Sequence, residues 1–285
     1  MKVAVEQSAW DGDWYLRGFF DDGSPLGSHS NREARIDSLP QSWAVLSGGE
    51  NQDRIRRAMD SAEALLVRPK DGLVLLLAPP FDSSTPHPGY IEGYPPGIRE
   101  NGGQYTHAAI WLAQARARMG NGTAAVRLLQ LINPAERTKD PAAVAAYRGE
   151  PYAVAADVSA SSLRVGVSGW TWYTGSAGWM YRVWIEDVFG FQLRGDQLRM
   201  RPEIPEDWRL CELNFRFHSS LYRISLERIS SGRTCRIDCD GVRVENDWLR
   251  LRSDGKEHLV RVRIGVSGDT SDERDQPDPS VRTVS

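Results

Sequence analysis

The sequence predicts a mainly α-helical chain followed by a small antiparallel β-domain, on three observations. Apolar residues recur at helical spacing up to about residue 190. Long loops rich in Gly, Pro and aromatic rings separate those helices. Beyond Phe191 the apolar period drops to two, with turn dipeptides between the alternating runs.

In chain order, 41–47 and 52–67 read as helices, with Gly48 and Gly49 between them. The second carries Ile55, Met59, Ala62, Leu65 and Leu66 on one face. Leu73–Ala78 is a short apolar run that Pro79-Pro80 ends. The loop after it, to Gly103, holds nine further Gly or Pro residues. Loops of that length in a compact domain tend to be functional, so the site is expected there. A helix over 105–119 ends at Gly120-Asn121-Gly122, and a shorter one follows over 123–132. This pattern suits a helical barrel or a helical solenoid and does not by itself separate them. In the β-domain, Leu221–Glu227, Leu249–Arg252 and Leu259–Ile264 alternate, with hairpins expected at Asp240-Gly241 and Asp254-Gly255. Arg fills many of the outward positions, a solvated face and not a binding surface. The domains are therefore 1–190, 191–267 and a polar tail over 268–285 that reads as disordered.

The formal net charge of -3 gives no attraction to nucleic acid, whose readers carry a basic stripe. No apolar run approaches the roughly 20 residues of a membrane span and no export signal opens the chain, so a cytoplasmic place is expected. Cys211, Cys235 and Cys239 do not supply a tetrahedral zinc set, and neither a metal nor a cofactor is expected.

Two segments carry chemistry. The first, Gly93-Tyr94-Pro-Pro-Gly-Ile-Arg99-Glu100-Asn101-Gly-Gly-Gln104-Tyr105-Thr106-His107, gathers a carboxylate, a guanidinium, carboxamides and an imidazole where a loop opens a helix. Such groups must line a polar cleft or close an internal network. Gly102-Gly103 ahead of the helix also suits an anion bound to backbone N–H groups. The second, Gly169-Trp170-Thr171-Trp172-Tyr173-Thr174-Gly175-Ser176-Ala177-Gly178-Trp179, alternates large rings with small hydroxylated residues, as a sugar-stacking wall beside an anion contact would. A helix N-cap on an aromatic core is the alternative.

These two segments, with Glu150-Pro151-Tyr152, Ala155-Ala156-Asp157 and Trp10-Asp-Gly-Asp-Trp14, resemble glycoside hydrolase family 94, which includes cellobiose phosphorylase and the C-terminal region of cyclic β-1,2-glucan synthases. The resemblance runs in one order over about residues 8 to 265 and covers the family's C-terminal part only. It implies part of an (α/α)6 barrel followed by a small antiparallel β-sandwich. It implies phosphate contacts at His107, Thr174 and Gly175, and sugar contacts at Tyr94 and Glu100 with Arg99 beside them.

The activity implied is inverting phosphorolysis of a β-glucoside, β-1,2-glucan oligomers above all, to glucose 1-phosphate, with inorganic phosphate as co-substrate. Phosphate arrives anionic and nucleophilic, so one carboxylic acid suffices where an inverting hydrolase needs an acid and a base. The family's acid is an Asp in a segment expected upstream of Met1, so the resemblance assigns no catalytic residue in this chain. Arg164-Val-Gly-Val-Ser-Gly169 replaces a Gly-Arg-Gly-Gly pattern, which removes a basic residue near Val167. A split or remnant product is the reading preferred for the chain alone: a fragment that only binds sugar, or that complements a separately encoded N-terminal half. If it belongs to a larger synthase, its place is the cytoplasmic side of a membrane. A half-barrel is also expected to leave apolar faces uncovered at Leu73–Leu77 and around Trp179–Trp184.

Overall fold

The computed structural model describes residues 2–172, 174–229 and 235–265, without the Thr174 side chain. The tail assigned to 268–285 lies outside them. The contacts divide the chain into two units, 1–208 with 247–251, and 209–246 with 252–285. Among the described residues, strands of four residues or more begin at Phe191, and the first two of them belong to the helical unit.

The first unit contains α1 (Lys2–Ser8), α2 (Ser38–Leu46), α3 (Gln52–Leu66), α4 (Thr106–Arg118), α5 (Gly122–Leu131), α6 (Pro141–Tyr147) and α7 (Thr174–Arg182). All four helices read from the periodicity form. The first starts at Ser38, because Asp37 takes an extended conformation and its carboxylate accepts the Leu39 N–H at 2.8 Å. In α3 the buried face is Ile55, Ala58, Met59, Ala62 and Leu66, whereas Leu65 is exposed. A stripe at i, i+3, i+4, i+7 and i+11 from Ile55 passes through Ala58 and leaves Leu65 on its margin.

Helix α4 is the centre of the unit. Ala108, Ala109, Ala113, Ala115 and Ala117 are buried together with Ile110 and Leu112, so neighbouring helices approach on several sides over small side chains. Arg116 of α4 is buried too, and reaches Asp60 at 2.8 Å and Glu63, both on α3. Arg127 of α5 takes the other oxygen of Glu63, so three helices share one charge network. A buried cation needs such partners, because its desolvation is costly.

The run at Leu73–Leu77 is covered, not open: each of its five residues is at most 5% exposed. Short antiparallel pairings explain this, since the segment is drawn inside as β-structure. Strand β1 (Ile36–Asp37) pairs with β2 (Leu77–Ala78), and β3 (Gln104–Tyr105) with β4 (Asp157–Val158). Helix α7 continues into a π-helical turn over Val183–Val188.

The remaining strands are β5 (Phe191–Arg194), β6 (Gln197–Met200), β7 (Leu210–Phe217), β8 (Ser220–Ile229), β9 (Arg236–Cys239), β10 (Val242–Arg243), β11 (Leu249–Arg250) and β12 (Glu257–Gly265). In the first unit, β11, β6 and β5 form an antiparallel sheet in that order. The second unit is a five-stranded sheet of order β7-β8-β12-β9-β10.

That sheet corrects the all-antiparallel expectation, because β8 and β12 run parallel, Leu221 opposite Glu257 through Ile229 opposite Gly265. A parallel pair needs a crossover longer than a hairpin, and residues 230–256 supply it. Asp240-Gly241 makes the expected turn between β9 and β10, with positive φ at both residues. Asp254-Gly255 does not make a hairpin, because β11 and β12 on either side of it lie in different sheets. Tyr222, Ile224, Leu226, Ile237, Val260 and Val262 form the buried face, and Arg223 and Arg261 point outward as the alternation requires.

Candidate functional site

The long loop after β2 is held by one side chain. Asn101 is fully buried; its carboxamide oxygen accepts the Phe81 N–H at 2.7 Å, and its nitrogen donates to the carbonyls of Phe81 at 2.9 Å and Tyr94 at 2.7 Å. It thus ties both ends of the loop to the segment carrying Arg99 and Glu100. Gly97 has φ of 81°, and a β-carbon there would lie 2.5 Å from the Ser161 nitrogen, so only glycine permits this approach.

Tyr94, Arg99 and Glu100 all lie half-buried on this loop. The Arg99 guanidinium sits over the Tyr94 ring, 5.5 Å from its centroid, and its Nε is 4.0 Å from the Asp157 carboxylate. Arg99 has φ of 49°, in the left-handed region that side chains other than glycine rarely adopt, so its surroundings must hold it there. Asp157 arrives by strand register, because β4 sets it opposite Tyr105. Burial, with the Glu100 charge adding to it, pushes the Asp157 carboxyl up, against Arg99 and the Trp170 amide. Burial also raises the Tyr105 phenol, again with Glu100 contributing. One Glu100 oxygen is buried with no hydrogen-bond partner among the described residues.

Arg99 and Asp157 line a cleft of about 330 Å3 together with Ser159, Arg164, Val167 and Trp170. Arg164 therefore lies on the same wall as Val167, where the sequence pattern had lost a basic residue. Trp170 is 57% exposed and Trp172 63%, with the Tyr152 ring tilted beside Trp172 at 6.5 Å, so these rings offer open faces. Trp179 does not: it packs edge-on against Trp111 at 5.8 Å.

The proposed phosphate contacts meet at the start of α4 and α7. His107 lies against Gly175 so closely that a β-carbon at residue 175 would be 2.8 Å from the imidazole Cε1. Burial lowers the His107 pKa, and a hydrogen bond with the Gly175 backbone works the other way. Thr106 Oγ1, Ser176 Oγ and Trp111 Nε1 are buried without hydrogen-bond partners among the described residues. Tyr173 and the Thr174 side chain lie outside the described residues, so of the three phosphate contacts read from the sequence only His107 and Gly175 are located. The Gly102-Gly103 amides are not anion donors, because they bond to the carbonyls of Glu100 and Arg99 at 3.0 and 3.1 Å.

Sequence reasoning passed over Asp157, Ser159 and Arg164 as site residues. Asp157 stood in a quoted motif, and only its register opposite Tyr105 reveals its role in holding Arg99.

Comparison with known proteins gives three findings. A family model described as the glycosyl hydrolase 94 superfamily, catalytic domain, matches residues 1–190. The cyclic beta-(1,2)-glucan synthase NdvB of Rhizobium meliloti (strain 1021) is 46% identical over 81% of this chain and 8% of its own length. Solabiose phosphorylase of Paenibacillus borealis is 32% identical over 92% of this chain and 34% of its own length. The chain thus spans about a third or less of these curated relatives. Among the described residues no helix is long and apolar enough to cross a membrane.

Proposed function

The chain belongs to the glycosyl hydrolase 94 superfamily, and from that premise we propose that it forms the phosphate- and sugar-binding side of an inverting glycoside phosphorylase, with its helices arranged as part of an (α/α)6 barrel. The substrate is a β-glucan oligosaccharide, β-1,2-linked in keeping with the glucan-synthase relative, and inorganic phosphate is the second substrate. The observation that carries this reading is the contact of His107 with Gly175, which joins two segments far apart in sequence beside buried polar groups.

In this reading phosphate sits against His107, Gly175 and Thr174 and attacks the anomeric carbon from the face opposite the glycosidic oxygen. That oxygen leaves with a proton from a carboxylic acid supplied outside these residues, and glucose 1-phosphate forms with inverted configuration. Tyr94, Arg99 and Glu100 hold the sugar hydroxyls, and the faces of Trp170 and Trp172 stack on its C–H surfaces. The half-buried His107 starts with a lowered pKa, so bound phosphate draws a proton onto it and strengthens the pair. The chemistry belongs to a cytoplasmic compartment, where inorganic phosphate is at hand.

The second reading is a fragment that only binds sugar or that complements a separately encoded N-terminal half. The test mixes the purified chain with phosphate and β-1,2-glucooligosaccharides and measures glucose 1-phosphate. Calorimetric binding of both phosphate and the oligosaccharide supports the first reading, and phosphate-dependent release would show that a carboxylate of this chain, not one outside it, supplies the proton. Binding of the oligosaccharide without phosphate binding or release supports the second, and the absence of both release and binding overturns the first reading and the sugar-binding form of the second.

A further inference from the structure

The second unit brings together three side chains that the proposed reaction does not use. Cys239 ends β9, Asp240 begins the turn to β10, and His258 lies on the adjoining β12. Their sulfur, carboxylate oxygen and imidazole nitrogen all lie within 4.8 Å of one another, with Cys239 Sγ 3.8 Å from Asp240 Oδ2 and His258 Nδ1 2.7 Å from that same oxygen. A tetrahedral zinc ion with ordinary bond lengths spaces such atoms about 3.3–3.6 Å apart, so small side-chain rotations bring this set to a metal.

The surroundings orient the set as a metal site is oriented. His258 is buried, with its ring stacked on Tyr222 at 4.7 Å, so its plane is fixed. Its Nε2 faces Asp254 Oδ1 at 3.1 Å, and Asp254 is itself held by the Ser220 hydroxyl at 3.0 Å and the Lys256 N–H at 3.1 Å. A carboxylate on one imidazole nitrogen sets the tautomer so that the other presents its lone pair, the arrangement found behind metal-bound histidines. That lone pair points at a second acceptor, Asp240 Oδ2. At 2.7 Å only a proton fits between them, and a metal ion bound to both would take that proton's place and hold the two atoms about 3.3 Å apart. Asp240 Oδ1 accepts the Leu259 N–H at 2.8 Å, which leaves Oδ2 as the inward oxygen.

We infer that Cys239, Asp240 and His258 bind a zinc-class divalent ion that clips the β9–β10 turn to β12. One thiolate, one carboxylate and one neutral imidazole suit Zn2+ or Co2+ and not Mg2+ or Ca2+, which take oxygen alone. The three ligands leave the ion neutral and a fourth position for water, with access from the exposed Asp240 side. The spacing of the cysteines did not reveal this site because two of its three ligands are not cysteines, and one comes from another strand.

The experiment strips the full chain with a chelator and titrates it with Co2+, which reports a thiolate ligand by a sulfur-to-metal charge-transfer band in the near ultraviolet. One equivalent is expected to bind, with that band, and Zn2+ should displace it. Cys239→Ser should remove the band and weaken binding at least tenfold, while Cys211→Ser changes neither. Asp254→Asn should weaken binding by roughly tenfold and keep the band. Circular dichroism checks that each variant is folded. Failure to bind one equivalent, or a band that survives Cys239→Ser in folded protein, overturns the inference and leaves a proton between His258 and Asp240.

Discussion

Replacing Asn101 with Ala is the sharpest test of how the site loop is held. The change removes three hydrogen bonds at once and leaves the Phe81 N–H and the Phe81 and Tyr94 carbonyls without their partner in a place closed to solvent. Each of the three stranded buried groups costs about 1–3 kcal/mol, so the loss is expected at about 3 kcal/mol or more. Asn101→Asp is nearly isosteric and keeps the acceptor for the Phe81 N–H, yet its charge faces two carbonyl oxygens. It should therefore be destabilised at neutral pH and recover partly in acid, where a protonated carboxyl donates to one of them. Urea unfolding of each variant, followed by tryptophan fluorescence, gives the free energies. An Asn101→Ala loss below about 1 kcal/mol, or an Asn101→Asp stability that does not change with pH, refutes the role given to this side chain.

Two further outcomes follow from the same reasoning. Burial pushes the Asp37 carboxyl up from 3.8 to about 6, against the pull of Arg17 and the Leu39 N–H. A carboxyl whose pKa rises on folding favours the protonated form, so its contribution is full below pH 3.8 and is lost as pH rises through about 6. The shift corresponds to roughly 3 kcal/mol. Asp37→Asn keeps the helix cap and removes the titration, so its melting temperature relative to the original should climb between pH 4 and pH 7; a constant difference would count against the burial argument. Gly175→Ala must push the His107 imidazole aside, since the new β-carbon starts 2.8 Å from Cε1. Phosphate affinity by calorimetry should fall at least tenfold while folding stability changes by less than about 1 kcal/mol, the scale of the helix propensity gained. Unchanged phosphate affinity would remove His107 and Gly175 from the site.

The helices were legible because their apolar stripes repeat within a few turns, as in α3 and α5. The Asp240-Gly241 turn was legible for the same local reason. What escaped depended on partners distant in sequence. Nothing near Leu221 indicates that it pairs in parallel with Glu257. The Gly102 and Gly103 amides looked available for an anion until the turn over Arg99 and Glu100 was seen to consume them. Asp157 gained its place in the cleft from cross-strand register, and Leu65 lost its place in the core by one step around the helix. His107 and Gly175 could be joined only through a family resemblance, because neither carries a local signal for the other.

The parallel pairing of β8 with β12 also sets an order of events for the growing chain. The β7–β8 hairpin closes over a short turn at His218 and Ser219 and can form as soon as those residues leave the ribosome. The centre of the sheet cannot, because β12 lies between β8 and β9 and is the last strand of the described chain. Until it is made, the apolar row of Tyr222, Ile224 and Leu226 has no neighbour on one side, and β8 presents a bare edge to any other extended segment. Closing so long a loop to seat a central strand is slow compared with hairpin formation. The second unit therefore spends its synthesis with an adhesive edge exposed and becomes safe only in its final step.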